Sequence, residues 1–139
     1  MFKTVLVSVD VSLPEEARKI LIAAKALTAS WECDLHVVTV VPDVGMAIVG
    51  AYLDKRFEDQ SHDAAEIELK TAMTEVGIDA RAHVAAGTVY DRVIQLADTI
   101  GADLILISAH SPELKDYLLG SNAARIVRHS QKSVLVLRI

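Results

Sequence analysis

The sequence has little of what several common protein classes require. Its 139 residues include one cysteine, Cys33, so neither a disulfide framework nor a cysteine-rich metal site can form within the chain. Aromatic residues make up only 4%, against 52% apolar residues, so we expect an aliphatic core. No apolar run reaches the ~18 residues of a membrane span, and no signal-peptide pattern precedes the first apolar run. We therefore expect a single cytoplasmic domain, residues 1–139, that does not contact a membrane.

The motifs of several enzyme and binding classes are also missing. The net charge is -5 and no basic stripe is present, which argues against nucleic acid as a partner. The chain contains no Walker loop, no Gly-x-Gly-x-x-Gly after the first strand and no Gly-x-Ser-x-Gly elbow. The histidines lack the spacing of metal ligands, so we expect no protein-bound metal. These absences exclude the commonest nucleotide-hydrolysing, dinucleotide-binding and hydrolase signatures.

Short apolar runs alternate with longer segments of helical periodicity along the whole chain. The first run ends before Ser12, which has capping-box spacing to Glu15 and so predicts a helix start there. The runs predict strands at residues 4–9, 34–41, 79–86, 103–108 and 133–139. Strands joined through helices form a parallel sheet with right-handed crossovers. We predict an α/β fold: a five-stranded parallel doubly wound sheet of order 3-2-1-4-5, with helices on both faces.

In that order the chain reverses direction between the first and fourth strands, and ligands of such sheets bind outside the carboxyl ends at this point. The segment 107–122 falls there and ends in Gly120, Ser121 and Asn122, just before a predicted helix. Helix-start amides attract anions, and a glycine lets a phosphate approach the backbone closely. The alternative interpretation is an ordinary loop-to-helix cap.

Other polar residues are expected at the same crevice. Asp10 follows the first strand and can bind ribose hydroxyls, an adenine amine or Mg²⁺, or else cap the next helix. Val40 ends the second strand, where it can meet a base or simply pack in the core. Ser108, His110 and Ser111 can approach ribose and phosphate, or they form a plain polar loop.

These residues resemble a known family. Residues 117–129 (YLLGSNAARIVRH), residues 133–138 (SVLVLR) and residues 7–12 (VSVDVS) are similar to the universal stress proteins, in particular the F/G-type branch. ATP-binding members carry Gly-x-x-Gly, nine residues, then Gly-Ser/Thr. Here Ser108 and Ser111 replace the two earlier glycines, and eight residues separate Ser111 from Gly120.

The resemblance implies that the chain binds ATP, with or without Mg²⁺. It assigns Asp10 and Val40 to adenosine, Ser108, His110 and Ser111 to ribose and phosphates, Gly120, Ser121 and Asn122 to the β- and γ-phosphates, and Ser133 to the neighbourhood of the phosphates. The family commonly dimerises through its last strand, and residues 133–139 fit that role as a bare apolar edge. A homodimer is therefore expected, with a tetramer as a further option.

The implied function is that of an ATP-binding regulatory module of the stress response, with at most slow ATP hydrolysis and no dedicated enzymatic activity. The alternative is a family member that binds no nucleotide and acts through protein–protein contacts. The two serines in place of glycines favour that alternative, and its surface would be the apolar residues 44–53. A third reading, an adenylating enzyme, lacks the required glycine-rich loop after the first strand.

Overall fold

A computed structural model describes residues 1–42, 51–109 and 119–139, with the backbone alone for residues 51–59. Strands and helices alternate strictly along it. Their bounds are β1 Thr4–Ser8, α1 Pro14–Thr28, β2 Asp34–Val41, α2 Ala51–Val76, β3 Arg81–Ala86, α3 Val89–Ile100, β4 Leu104–Ser108, α4 Ser121–His129 and β5 Ser133–Leu137.

The five strands form one sheet of order β3-β2-β1-β4-β5, and all neighbouring pairs are parallel. This confirms the predicted fold class and strand order. The switch point of the strand order lies at β1. β2 and β3 are added on one side of β1, whereas β4 and β5 are added on the other side. The carboxyl ends of β1 and β4 therefore lie next to each other at one edge.

The core is divided by the sheet into two apolar clusters, because successive strand residues point to opposite faces. One cluster joins Val5, Val7 and Val37 to α1 and α2 through Leu21 and Leu69. The other joins the alternate strand residues to α3 and α4; its members include Leu6, Val38, Ile105, Val93 and Ile126. Aliphatic residues fill both clusters, as the composition predicts.

Several element ends differ from the sequence prediction. The capping box at Ser12 is wrong: the residue that precedes α1 is Leu13, and no side chain caps that helix. Ser12 instead turns back, and its backbone amide and hydroxyl both donate to the carboxylate of Asp10. The predicted strands 79–86 and 133–139 are trimmed to Arg81–Ala86 and Ser133–Leu137.

Candidate functional site

A cleft of about 360 Å³ lies at the carboxyl ends of β1, β2 and β4, against the first turns of α1. Parallel strands bring their carboxyl ends together, so residues distant in sequence meet here. Its lining comprises Ser8, Val9, Asp10, Val11, Ser12, Leu13, Glu16, Ala17, Ile20, Thr39, Val40, Val41, Pro42, Val89, Ile107, Ser108 and Asn122. The cleft occupies the switch point of the strand order, as the topology predicts.

Asp10 stands at the mouth of the cleft, in the turn between β1 and α1. Its Oδ1 accepts a hydrogen bond from the amide of Ser12 at 3.0 Å and one from the Ser12 hydroxyl at 2.5 Å. The carbonyl of Asp10 accepts from the amide of Leu13 at 3.1 Å, which closes the turn. The turn fixes the carboxylate in an exposed position while it remains available to a ligand. Asp10 therefore shapes the turn before α1, although it does not cap that helix.

Ser108 and Gly120 lie on either side of the junction between β4 and α4. Ser108 ends β4 opposite Leu137 of β5, and it lines the cleft. The amide of Gly120 donates to the carbonyl of Ala109 at 3.2 Å, which ties the start of α4 to the end of β4. Gly120 is buried, and its φ of -61° is accessible to any residue. The useful property of this glycine is thus its missing side chain, which leaves the first amides of α4 uncapped by residue 120.

Asn122 joins two helices at the edge of the cleft. Its Oδ1 accepts a hydrogen bond from the backbone amide of Tyr90, in the first turn of α3, at 3.2 Å. Since a backbone amide is only a donor, the oxygen of the carboxamide must face Tyr90. The Nδ2 group, a donor, is then the end of the side chain that remains for a ligand. The guanidinium of Arg125 lies 5.0 Å above the Tyr90 ring and packs the two helices further.

Val40 contributes the apolar side of the cleft. It is half-buried at the carboxyl end of β2, on the same sheet face as the core of α3 and α4. Val89 and Ile107 extend this apolar surface, while Thr39, only 2% exposed, lines the cleft from the neighbouring position of β2. An apolar wall beside backbone edges at strand ends suits the flat face of an aromatic base.

The structure brings together four of the predicted residues, Asp10, Val40, Ser108 and Asn122. Gly120 and Ser121 lie at the start of α4, next to Asn122, without lining the cleft themselves. The expectations for His110 and Ser111 lie outside the described residues. So does most of the surface 44–53 of the alternative function, of which the structure describes only the backbone of residues 51–53.

The prediction for Ser133 needs correction. Ser133 begins β5 and is paired with Leu104, which begins β4. The cleft lies at the opposite ends of these strands, beyond Ser108 and Leu137. A position just before a parallel strand is at the amino edge of the sheet, so Ser133 cannot approach phosphates held at the carboxyl edge.

The sequence interpretation missed one wall of the cleft, which is formed by α1. Leu13, Glu16, Ala17 and Ile20 line it, at helical spacing i, i+3, i+4 and i+7. This periodicity was visible in the sequence, but it predicts only an apolar face towards the core. Glu16 interrupts that face with a carboxylate, and this was the available signal that the face also borders a site.

Asp10 and Glu16 make the mouth of the cleft acidic, a charge that a divalent cation or ligand donors would offset. In the part of the chain that the structure describes, one group of side chains has metal-ligand proximity: His62, Asp63 and Glu66 on α2. That group lines no part of the cleft. Any Mg²⁺ in the cleft would therefore depend on Asp10 or Glu16 and on oxygens of the ligand.

The fold and the cleft define the class: a doubly wound α/β domain with a mixed polar and apolar site at the switch point of its sheet. A family model described as Universal stress protein family matches residues 1–138. The chain is 34% identical to Universal stress protein G of Escherichia coli O157:H7, over 99% of this chain and 100% of that protein. The chain therefore belongs to the universal stress protein family, as its motifs predict.

Solved structures share the fold. The structure of MJ0577, a protein of Methanocaldococcus jannaschii, has a TM-score of 0.83 at 22% identity and covers 100% of this chain and 97% of its own. A universal stress protein in complex with cAMP has a TM-score of 0.71 at 22% identity, covering 99% of this chain and 97% of its own. In the described part of this chain, no helix is both long and apolar enough to cross a membrane.

Proposed function

We propose that the chain is a regulatory universal stress protein that binds ATP in the cleft at the carboxyl ends of β1, β2 and β4. The observation that supports this most directly is the meeting of Asp10, Val40, Ser108 and Asn122 in one cleft. These residues come from three strand ends and one helix start, and together they offer the apolar surface, the carboxylate and the hydrogen-bond donors that ATP requires. The cAMP complex of a family member with the same fold shows that this architecture accepts an adenine nucleotide in that protein.

The parts of the nucleotide are assigned by the chemistry of the lining. The adenine lies against Val40 and the neighbouring apolar surface, where burial of its faces contributes most of the attraction. The ribose hydroxyls donate to Asp10, whose carboxylate is held in place by Ser12. The phosphates lie against the start of α4, where uncapped amides, the positive helix end and the Nδ2 of Asn122 attract negative charge.

The test is equilibrium binding of ATP with Mg²⁺, measured by calorimetry on the wild-type chain and matched variants. In Val40→Trp the indole fills the space in which the adenine is proposed to bind, so the affinity for ATP should fall at least about tenfold. Val127→Trp on α4 is the control: Val127 is 48% exposed and lines no part of the cleft, so affinity should be unchanged. Absence of binding to the wild type at millimolar ATP would overturn the proposal.

A second variant tests the phosphate side. The φ of -61° and ψ of 155° at Gly120 are open to valine, so Gly120→Val adds bulk at the helix start without a backbone penalty. ATP should then bind at least about tenfold more weakly, while adenosine, which has no phosphate, should bind nearly as before. Urea unfolding of the variant checks that the buried position still packs. Equal losses for ATP and adenosine would place the phosphates elsewhere.

Assembly is the second part of the proposal: a homodimer formed by antiparallel pairing of two β5 strands. β5 is an edge strand, and the hydrogen bond from the Ala109 amide to the Leu137 carbonyl directs Leu137 towards β4. Because these directions alternate, Val134 and Val136 present their backbone groups outward. Val136→Pro removes one outward amide and should convert dimer to monomer in analytical ultracentrifugation, whereas a monomeric wild type would refute the pairing.

We further propose a cytoplasmic location and at most slow hydrolysis of the bound ATP. No residue of the described cleft is a histidine or cysteine, and its two carboxylates are Asp10, whose Oδ1 accepts from Ser12, and Glu16 on α1. Inorganic phosphate should therefore be released far more slowly than bound ATP dissociates. Rapid steady-state release that disappears in Asp10→Asn would show instead that the chain is a dedicated ATPase.

A further inference from the structure

A second cleft, of about 570 Å³, runs along the outer edge of the sheet and shares no lining residue with the first. Its floor is the continuous stretch 82–86 of β3, and its walls come from α2 on one face and α3 on the other. The wall residues are His62 and Glu66 of α2, and Arg92, Gln95, Leu96 and Thr99 of α3. We call this cleft the β3 groove.

The floor of the β3 groove is a row of backbone groups without a neighbouring strand among the described residues. β3 is the last strand in the sheet order and pairs only with β2. The amide of Gly87 donates to the carbonyl of Val41 on β2 at 3.0 Å. Because the directions of backbone groups alternate along a strand, the amides and carbonyls of every second residue before Gly87 also point towards β2. The amides and carbonyls of Ala82, Val84 and Ala86 consequently point outward, into the groove. Such an edge is a template for one more strand.

The dimensions of the groove fit a single extended segment. Five residues of strand span about 13 Å between the first and last Cα, which is enough for a peptide of four to six residues. The alanines of β3 carry nothing beyond Cβ, so the space beside the strand is not filled by its own side chains. The edge of a second copy would arrive with α2 and α3 on both sides of it, and these helices would collide with the walls. A single peptide strand carries no such helices.

One wall of the groove carries a positive charge that has no ion-pair partner among the described side chains. The Nε of Arg92 is buried and has no hydrogen-bond partner among the described residues. Its Nη1 donates to Oε1 of Gln95 at 2.7 Å, which holds the guanidinium along the wall. Gly87 makes this position possible, because a Cβ there would come within 2.9 Å of Nε.

The carboxylate on the opposite wall is already neutralised. Glu66 forms an ion pair with Lys70, one turn further along α2, at 2.9 Å. No described ion pair involves Arg92. The charge left for a ligand is therefore positive, on the α3 side, and a bound strand would place an acidic side chain there.

We propose that the β3 groove binds an extended peptide segment bearing an acidic side chain, which adds to the sheet as a sixth strand beside β3. The main chain of the peptide pairs with the outward groups of Ala82, Val84 and Ala86, and its carboxylate pairs with Arg92. This interaction does not require nucleotide in the other cleft. It gives the protein a surface through which it contacts a partner that exposes such a segment.

The test uses the full chain, labelled with ¹⁵N, and the blocked peptide Val-Thr-Asp-Val-Thr-Val. Titration should shift the amide resonances of Ala82, Val84 and Ala86, and their hydrogen exchange should slow. The same peptide with every backbone amide N-methylated has no amide donor on either edge and should leave these resonances unchanged. No shift at millimolar peptide, or equal shifts with the methylated peptide, would overturn the proposal.

The charge requirement has its own control. Arg92→Gln should weaken binding of the Asp peptide about fivefold while leaving a peptide with Asn in place of Asp unaffected, because only the ion pair is removed. Equal weakening of both peptides would refute the role of Arg92. Protection of Ala82, Val84 and Ala86 that rises with protein concentration alone would show that a second copy occupies the groove, contrary to the proposal. ATP binding should be unchanged in Arg92→Gln, so this test is independent of the first cleft.

Discussion

His36 and His83 form a hydrogen bond between two titratable side chains, and its contribution to the free energy of unfolding can be measured. Nδ1 of His36 lies 2.8 Å from Nε2 of His83, and the rings are stacked with centroids 5.1 Å apart. His36 is only 6% exposed. One nitrogen must donate and the other accept, so the bond requires that at least one of the two imidazoles is neutral.

The perturbation is a double-mutant cycle of His36→Phe and His83→Phe, which keeps planar rings at both positions. Either single change leaves a half-buried or buried nitrogen without its partner, at a cost of about 1–3 kcal/mol. The double variant removes both polar groups and should cost less than the sum of the singles. We therefore expect a coupling of about 1–2 kcal/mol at neutral pH, from urea unfolding monitored by circular dichroism.

The pH dependence of this coupling has a defined sign. Burial lowers the pKa of His36 below its ordinary 6.5, and Arg81 lowers it further against an opposing effect of Asp34. Burial likewise lowers the pKa of His83, followed by the charges of His36 and Arg81. The unfolded chain then binds more protons, so stability is full above pH 6.5 and falls as the pH drops through the folded pKa values.

The double variant serves as the control for every other titrating group. Wild-type stability should fall relative to that variant as the pH drops below 6.5, and the coupling should vanish once both rings are protonated. Additive single changes at all pH values, or a wild type that gains stability relative to the double variant on acidification, would refute the shared hydrogen bond.

Two further predictions concern the frame of the sheet. Burial raises the pKa of Asp103, but the hydrogen bonds that it accepts from the amides of Lys3 (2.9 Å) and Thr4 (3.0 Å) help to outweigh this effect, so the pKa is lowered overall. Asp103→Ala should cost about 1–3 kcal/mol in urea unfolding above pH 3.8, and the difference from wild type should shrink as the pH falls below that value. Ile126→Ala, at a fully buried position of α4, should cost about 2–5 kcal/mol, whereas Val127→Ala at its half-exposed neighbour should change stability by under about 0.5 kcal/mol.

The strand order could be predicted because two local signals agree with one global rule. The strands are short runs such as Val5, Leu6 and Val7, and each of the first four is followed by a segment with helical periodicity. Helical crossovers force parallel pairing, and right-handedness then leaves few orders. Element ends were less predictable, because Ser12 can either cap α1 or bond to Asp10 and local sequence does not decide between these. The structure shows the second arrangement.

The residues of the candidate site that lie at strand ends could be predicted from the topology. Those that depend on the direction of a strand or the orientation of a side chain could not. Asp10, Val40 and Ser108 each follow or end a strand at the switch point, so topology alone placed them together. Ser133 was misplaced because proximity to a strand was considered without the direction of that strand. The β3 groove required coordinates, since no sequence signal tells that Arg92 turns towards Gly87 rather than towards solvent.

The side chain of Asn122 can serve a structural and a binding role at the same time, because its two ends have different partners. Its oxygen is committed to the Tyr90 amide, so Asn122→Asp preserves that acceptor while it replaces the Nδ2 donor with a second negatively charged oxygen. Stability should change by under about 0.5 kcal/mol, and ATP affinity should fall about 10- to 100-fold through lost donation and repulsion of the phosphates. Asn122→Ala removes both ends, so it should lose about 1 kcal/mol of stability together with affinity. Amide hydrogen exchange at Tyr90 separates the two cases, since protection persists in Asn122→Asp and is lost in Asn122→Ala. An Asp variant that binds ATP as tightly as the wild type would show that the phosphates lie away from α4.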